Sequence, residues 1–499
     1  MTDISGLYST YKKALAERST WESTWQDCYT FAFPQRETVF RSPSSKINQL
    51  YDGTAPDAVD QLAALLLSEL TPPWMSWFKL SAGTDLTDED KQKIAPTLEK
   101  ISTTLQTHFD RSNFAMEIHQ CYLDLITVGT ACLMFEEAPI GANSAFHFTA
   151  VPLSQLALSE SATGKLDHVF RTIRLDYNEF LVRFGDELLP TDVMNDAQQG
   201  KITLEVIESV CPNTQGTYDY IAFLNPSSQY LSNNVGPIIL KETTYNTSPF
   251  IAFRWLKAPG EVYGRSPVMK ALPDIKTANK VVELILKNAT IAVTGIWLAE
   301  DDGVLNPANI QLVPGAIIPK AVGSKGLTAL ESPGKFDVSQ LVLKDLREHI
   351  KHALLGDKLG QVDNSVKMTA TEVIERADEM IMILGATYGR LQSELLTPLI
   401  DRAANILRKR GEIPEVFIDG RLLKISYKST RAEKQAQIDA NNGLTWLNSI
   451  AQLGENALSQ IDIGAFVKWF GEKLNIPESI MKKAPEAPMI PLTLSNQVA

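Results

Sequence analysis

Lys344, Arg347 and Lys351 recur at steps of three and four residues, and Lys358 and Lys367 follow in the polar loop Asp357–Lys367. On a helix that spacing puts the first three cations on one face. A solvated helix face would explain such a stripe. So would a surface that meets a polyanion, and the two loop lysines keep that reading open. His349 and His352 could share a metal, but no nearby Cys or carboxylate completes the set, so no metal site is expected. Glu136-Glu137 and Asp301-Asp302 are adjacent carboxylates, yet Asp302-Gly303 reads as a turn. Gly-Lys pairs at 164–165, 200–201 and 334–335 precede Leu, Ile and Phe, where a phosphate-cradling P-loop needs Ser or Thr. G-x-G-x-x-G, H-E-x-x-H and G-x-S-x-G are all absent. The sequence therefore predicts no catalytic residue, no cofactor and no enzyme. Trp21/Trp25 and Trp74/Trp77/Phe78 could stack bases, but their spacing reads as core or subunit-interface anchors.

These groups sit in a chain of 499 residues, enough for two to four domains. A net charge of −12 and a pI near 5.2 exclude a protein that coats nucleic acid. Cys28, Cys121, Cys132 and Cys211 lack C-x-x-C spacing and read as small buried hydrophobes in a reducing compartment. The first residues show no signal-peptide pattern. The most apolar stretch, 281–299, carries Glu283 and Lys287 and is no membrane span. A soluble intracellular protein without a membrane partner is expected.

The elements that position the cations are the unusual part. Helices are predicted over 4–31, 55–70 and, as a pair, 88–128 ending at Gly129. Short β-rich runs fill 130–255. Ser266-Pro267 opens a helix that Pro273 is expected to reset, leaving Ile275, Ala278, Val282, Ile285 and Ala289 on one face. Lys276, Lys280, Glu283 and Lys287 take the other. A turn-rich segment with short strands follows at 294–335. A further helix over 337–356 then groups Leu343, Leu346, Ile350 and Ala353. The most informative element comes next: 368–410 reads as one helix of about 40 residues, roughly 60 Å long. Thr369 and Glu372 form its capping box. Gly385, Gly389 and Pro398 should bend it. Residues 416–427 read as a hairpin turned at Asp419-Gly420, and 429–483 as helical.

This order of elements, with its local sequences, resembles the portal (head-to-tail connector) proteins of short-tailed bacteriophages. The carrying segments are LAERSTWESTWQDCYTFAFPQ, YDGTAPDAVDQLAALLLSELTPPWMSWFKL, VYGRSPVMKALPDIKTANKVVE and TATEVIERADEMIMILGATYGRLQSELLTPLIDR. The last two are the most specific: Y-G-R-S-P opening a helix, and T-A-x-E-V opening a long helix that ends E-L-L-x-P-L.

The resemblance implies a predominantly helical α+β subunit, elongated into wing, stem, clip and crown, in a ring with a central channel. Residues 1–265 would be the wing, 266–293 the first stem helix, 294–336 the clip and 337–356 the second stem helix. The tunnel loop would span 357–369. Residues 370–428 would be the long bent helix and hairpin returning to the wing, with crown and tail at 429–499. Such proteins form homo-oligomeric rings, typically of twelve subunits, at one capsid vertex of the virion, assembled in the host cytoplasm. They pass double-stranded DNA inward at packaging and outward at ejection. The implied partners are the terminase large subunit, tail adaptor and tail proteins, and the major capsid and scaffolding proteins. The implied DNA-channel cations are Lys344, Arg347, Lys351, Lys358 and Lys367; the implied kink residues are Gly385, Gly389 and Pro398. Two other readings stay open: a tail adaptor or other ring-forming virion protein, and a cytosolic enzyme without a recognisable motif.

Overall fold

A computed structural model describes residues 4–34, 50–83, 85–161, 164–185, 189–226, 238–294, 297–299, 327–329, 336–355, 385–414, 423–427, 430–452, 463–474 and 476. Helices α1 (Ile4–Ala32) and α2 (Thr54–Leu70) come first, then strand β1 (Phe78–Ala82) and helices α3 (Asp88–Arg111) and α4 (Phe114–Val128). Strands β2 (Thr130–Glu137), β3 (Phe146–Val151), β4 (Leu156–Ser159) and β5 (His168–Leu175) precede short helices α5 (Tyr177–Phe184) and α6 (Thr191–Gln198). Strands β6 (Leu204–Pro212), β7 (Tyr218–Leu224), β8 (Ile239–Tyr245) and β9 (Phe250–Arg254) lead to helix α7 (Pro267–Thr294). Strands β10 (Trp297–Ala299) and β11 (Leu327–Ala329) separate α7 from helix α8 (Phe336–Ala353). Helix α9 (Gly385–Leu391), a π-helical turn (Gln392–Leu396) and helix α10 (Thr397–Lys409) run on without a break. Strand β12 (Leu423–Tyr427) and helices α11 (Thr430–Ala451) and α12 (Ile463–Lys473) complete the order. The fold is mixed helix and sheet, 57% helical, in keeping with the expected class.

The chain forms two compact units, residues 1–65, 116–136 and 148–399 in one and 66–115, 137–147 and 400–499 in the other. In the first, α1 lies on the five-stranded antiparallel sheet β4-β5-β6-β7-β8. Tyr11 and Ala14 of the helix close over Phe170, Ile207, Ile221 and Phe223. Each buried large side chain there contributes about 1.5–3 kcal/mol. One buried charge interrupts the apolar sheet: Glu208 on β6 accepts from Tyr220 Oη at 2.8 Å and from Arg171 at 3.4 Å, and pairs with Arg183 of α5. That pairing ties α5 to the sheet.

In the second unit Trp77, Phe78, Phe109 and Phe114 form a ring cluster, with Trp77 and Phe78 centroids 4.6 Å apart. Trp77 and Phe78 are thus anchors, as their spacing predicts. Trp74 is outside this core: it is 69% exposed, in the turn that precedes β1, so of the two readings only the interface one stands for it. β12 pairs antiparallel with β1, Phe78 opposite Tyr427. The 416–420 arm of the expected hairpin lies outside the described residues.

None of the four cysteines forms a disulfide, and Cys28, Cys121 and Cys132 are buried. Burial, the largest cause, pushes the Cys28, Cys132 and Cys211 thiols up to about 12.

Candidate functional site

Helix α7 begins where the sequence places its start. Ser266 Oγ accepts the Met269 N–H at 2.8 Å and donates to the Thr127 carbonyl at 2.9 Å, capping the helix and fixing it to α4. The Y-G-R-S-P motif has a packing reason. Tyr263 is buried with its ring edge-on to Trp25, centroids 4.9 Å apart, and its hydroxyl accepts the Leu158 N–H. Gly264 crosses the backbone of Gly129, which has φ +78°, and donates to Thr130 Oγ1 at 2.8 Å. A Cβ on Gly129 would stand 2.5 Å from the Gly264 carbonyl oxygen, and one on Gly264 would sit on the Gly129 carbonyl. Both positions require glycine.

Pro273 does not reset the helix. α7 runs unbroken across it. Proline loses one hydrogen bond, to the Met269 carbonyl. It stands exposed while Ala271, Leu272, Ile275 and Ala278 on the same turns are buried, so packing outweighs the loss.

α8 packs along α7 through Leu343, Ile350 and Leu354. One clasp holds the pair. The Tyr51 and Asp52 amides donate to Asn279 Oδ1 of α7 at 2.6 and 3.1 Å. The Asp52 carboxylate accepts the Thr54 N–H at 2.9 Å and takes Arg347 of α8 through Nε at 2.8 Å and Nη2 at 2.7 Å. Burial would raise the Asp52 pKa, but hydrogen bonds from Thr54 and Arg347 outweigh it and hold the carboxyl below its ordinary value.

The expected cation stripe is therefore divided. Lys344 is exposed, 3.9 Å from Glu348. Arg347 is engaged by Asp52, with 44% of its side chain exposed. Lys351 is half-buried on the same helix. Lys358 and Lys367 lie outside the described residues, as do the Thr369–Glu372 capping box, residues 368–384 of the long helix, Asp301-Asp302 and most of 294–335. Among the described residues no cluster of three His, Cys, Asp or Glu is arranged to hold a metal. Nor is any described helix long and apolar enough to cross a membrane.

Gly385 and Gly389 lie in α9, where a Cβ at either would meet nothing within 4 Å. Pro398 is the second residue of α10, directly after the π-helical turn. Proline cannot donate to the carbonyl four residues back, and its ring would strike it. The turn before it is one residue wider: the Thr397 N–H donates to Gln392 O, five back. Glu394 in that turn grips Arg254 of β9, which is fully buried. Arg254 Nε and Nη2 reach the Glu394 carboxylate at 3.3 and 2.8 Å, and its backbone N–H reaches it at 2.9 Å. The other guanidinium protons go to Val262 O, Gly164 O and Glu160. With all five donors engaged, the buried cation is fully satisfied.

Sequence reasoning missed Asp52, Asn279, Arg254 and Glu394. Arg254 left a signal, a lone charge in the apolar run FIAFRWLK. Asp52 left a weaker one, in the D-G-T-A-P that opens α2.

Among the described residues, the helical run 385–409 is thus fastened to β9, and α7 and α8 are clasped by Asp52. The family model for Bacteriophage head to tail connecting protein matches residues 5–481, and the chain belongs to that family. It is 24% identical to the "Probable portal protein" of Bordetella phage BPP-1, over 96% of this chain and 89% of that one. With the "Portal protein" of Salmonella phage epsilon15 the identity is 25%, over 93% and 86%. Among solved structures, a chain of the "Neck of empty GTA particle computed with C6 symmetry" is similar at a TM-score of 0.38 and 11% identity, over 84% of this chain and 93% of that one. The resemblance carried by the sequence motifs is correct.

Proposed function

We propose that this chain is the repeating subunit of a portal ring at one capsid vertex, the channel for duplex DNA during packaging and ejection. The observation that carries the reading is the family match across 5–481, which spans both the clasped helix pair and the long helix. The subunit count is taken as twelve. α7 and α8 are the stem, 294–336 the clip, 357–369 the tunnel loop and 429–499 the crown and tail. The terminase large subunit, tail adaptor, tail, capsid and scaffolding proteins dock on the ring. ATP hydrolysis belongs to the terminase.

Electrostatics supports the channel role. Duplex DNA carries one charge per about 1.7 Å of axis, and a strongly basic lining would release counterions and hold it fast. Twelve chains at −12 each carry −144 formal charges, so most of the ring repels DNA. A few cation rings centre the duplex without trapping it. Lys344, Lys351, Lys358 and Lys367 are the proposed cations, joined by the part of Arg347 that Asp52 leaves exposed. Negative-stain microscopy of the purified chain tests the reading. Rings with an axial hole are expected; a compact monomer would overturn it.

A further inference from the structure

Each stem helix turns a charged face away from its partner, and the two faces are opposite in sign. On α7 Val268, Ala271, Leu272, Ile275, Ala278 and Asn279 are buried. At about 100° per residue the far side carries Lys280, Leu284 and Lys287. Both lysines are 62% exposed and share a single carboxylate, Glu283, so the face keeps a positive excess. Leu284 at its centre is 49% exposed. On α8, Leu343, Ile350 and Leu354 point inward, and Leu341, Asp345 and Glu348 come round to the far side. Leu341 is 64% exposed, one turn before Asp345, while Glu348 lies 3.9 Å from Lys344.

The two faces also stand at matching heights. β10 and β11 pair antiparallel between the helices, so α8 returns along α7. Asn279 and Arg347 both bind Asp52, one through its backbone N–H and the other through its carboxylate, which sets their common level. Counting from that level, Leu284 lies within about one residue, roughly 1.5 Å, of Leu341, and Lys280 within the same margin of Asp345. Rotation about a ring axis parallel to the helix pair preserves height. A copy rotated beside the first would therefore bring leucine to leucine and lysine to carboxylate. The contact is heterologous, with different patches on the two sides, which is the kind that closes a ring.

We infer that the far face of α7, built on Lys280 and Leu284, docks on Leu341 and Asp345 of a second copy of this chain. This rests on the ring reading above and adds the surface that joins neighbouring stems. Lys280 is then sequestered between subunits and does not meet DNA, while Lys344 and Lys351, about a quarter of a turn round α8 from the midpoint of Leu341 and Asp345, stay outside the contact.

Charge reversal tests it, with assembly followed by mass photometry. Lys280→Glu, and separately Asp345→Lys, should each raise the concentration needed for assembly several-fold. Both changes together should return it to near that of the unaltered chain, as opposite charges meet again. Single variants that assemble normally, or a double variant no better than the singles, would overturn the inference while leaving the ring intact. An unaltered chain that stays monomeric would sink both readings. Leu284→Cys with Leu341→Cys gives an independent answer: a mild oxidant should produce a ladder of covalent multimers, and a product confined to monomer would refute the contact.

Discussion

The Asp52 carboxylate joins the start of α2 to α8, so its removal should exceed the cost of an ordinary surface pair. Asp52→Ala strands the Arg347 guanidinium and the Thr54 amide, for a loss of about 1–3 kcal/mol. Thermal unfolding should read this as a drop of several degrees. The pH dependence follows from the lowered pKa. A depressed carboxyl contributes its full stabilisation above the ordinary value of 3.8 and loses it as pH falls through the folded value. The unaltered chain should weaken below about pH 4 more steeply than Asp52→Asn, and parallel acid titrations of the two would refute the clasp. Glu208 is a harsher case. Glu208→Gln leaves Arg171 and Arg183 facing a neutral group within the sheet, and a cost of about 3–5 kcal/mol is expected in denaturant melts. Neither partnership was legible in the sequence. Asp52 and Arg347 lie 295 residues apart, and no local pattern announces a pairing that only the folded chain creates.

Elements were far more legible, because they follow from local rules. The start of α7 was readable from Ser266-Pro267, a cap followed by a residue that needs no amide partner. α1, α2 and the Gly129 stop were readable from periodicity and punctuation. Pro273 shows the limit: its local penalty is real, yet a buried face on both sides overrides it. The π-helical turn was invisible for a related reason. Pro398 signals a fault in the helix, but whether the chain bends, breaks or widens depends on what holds the turn, and here Glu394 on Arg254 does. Two tests belong to this scale. Gly264→Ala puts a methyl onto the Gly129 carbonyl and should abolish the soluble fold or lower its melting point by more than 10 °C. Gly385→Ala with Gly389→Ala, where the space is open, should stabilise helix α9 by up to about 1 kcal/mol each. If DNA packaging needs the glycine segment to flex, that stabler protein should package more slowly; equal rates would remove Gly385 and Gly389 from any such motion.

For the whole molecule, charge decides. An acidic ring around an acidic polymer works only if attraction is confined to a few positions, and those positions set how firmly the genome is held. Lys358→Glu with Lys367→Glu should reduce packaged DNA and its retention under rising salt, since fewer phosphate contacts weaken binding. Unchanged packaging and retention would remove the loop lysines from the channel. Lys344→Glu with Lys351→Glu should act in the same direction without changing ring size, because neither residue belongs to the inferred contact between stems.

The enclosed thiols have a practical use. Only a thiolate attacks maleimides or disulfides at speed, and thiols titrating near 12 offer almost none at neutral pH. A single cysteine introduced on an exposed face would therefore outcompete Cys28, Cys132 and Cys211, and Cys121 is shielded by its burial, so none need be stripped first. Fluorophores could be set at chosen positions along α7 and α11 of an otherwise unaltered chain, and energy transfer between them followed through the packaging assays above.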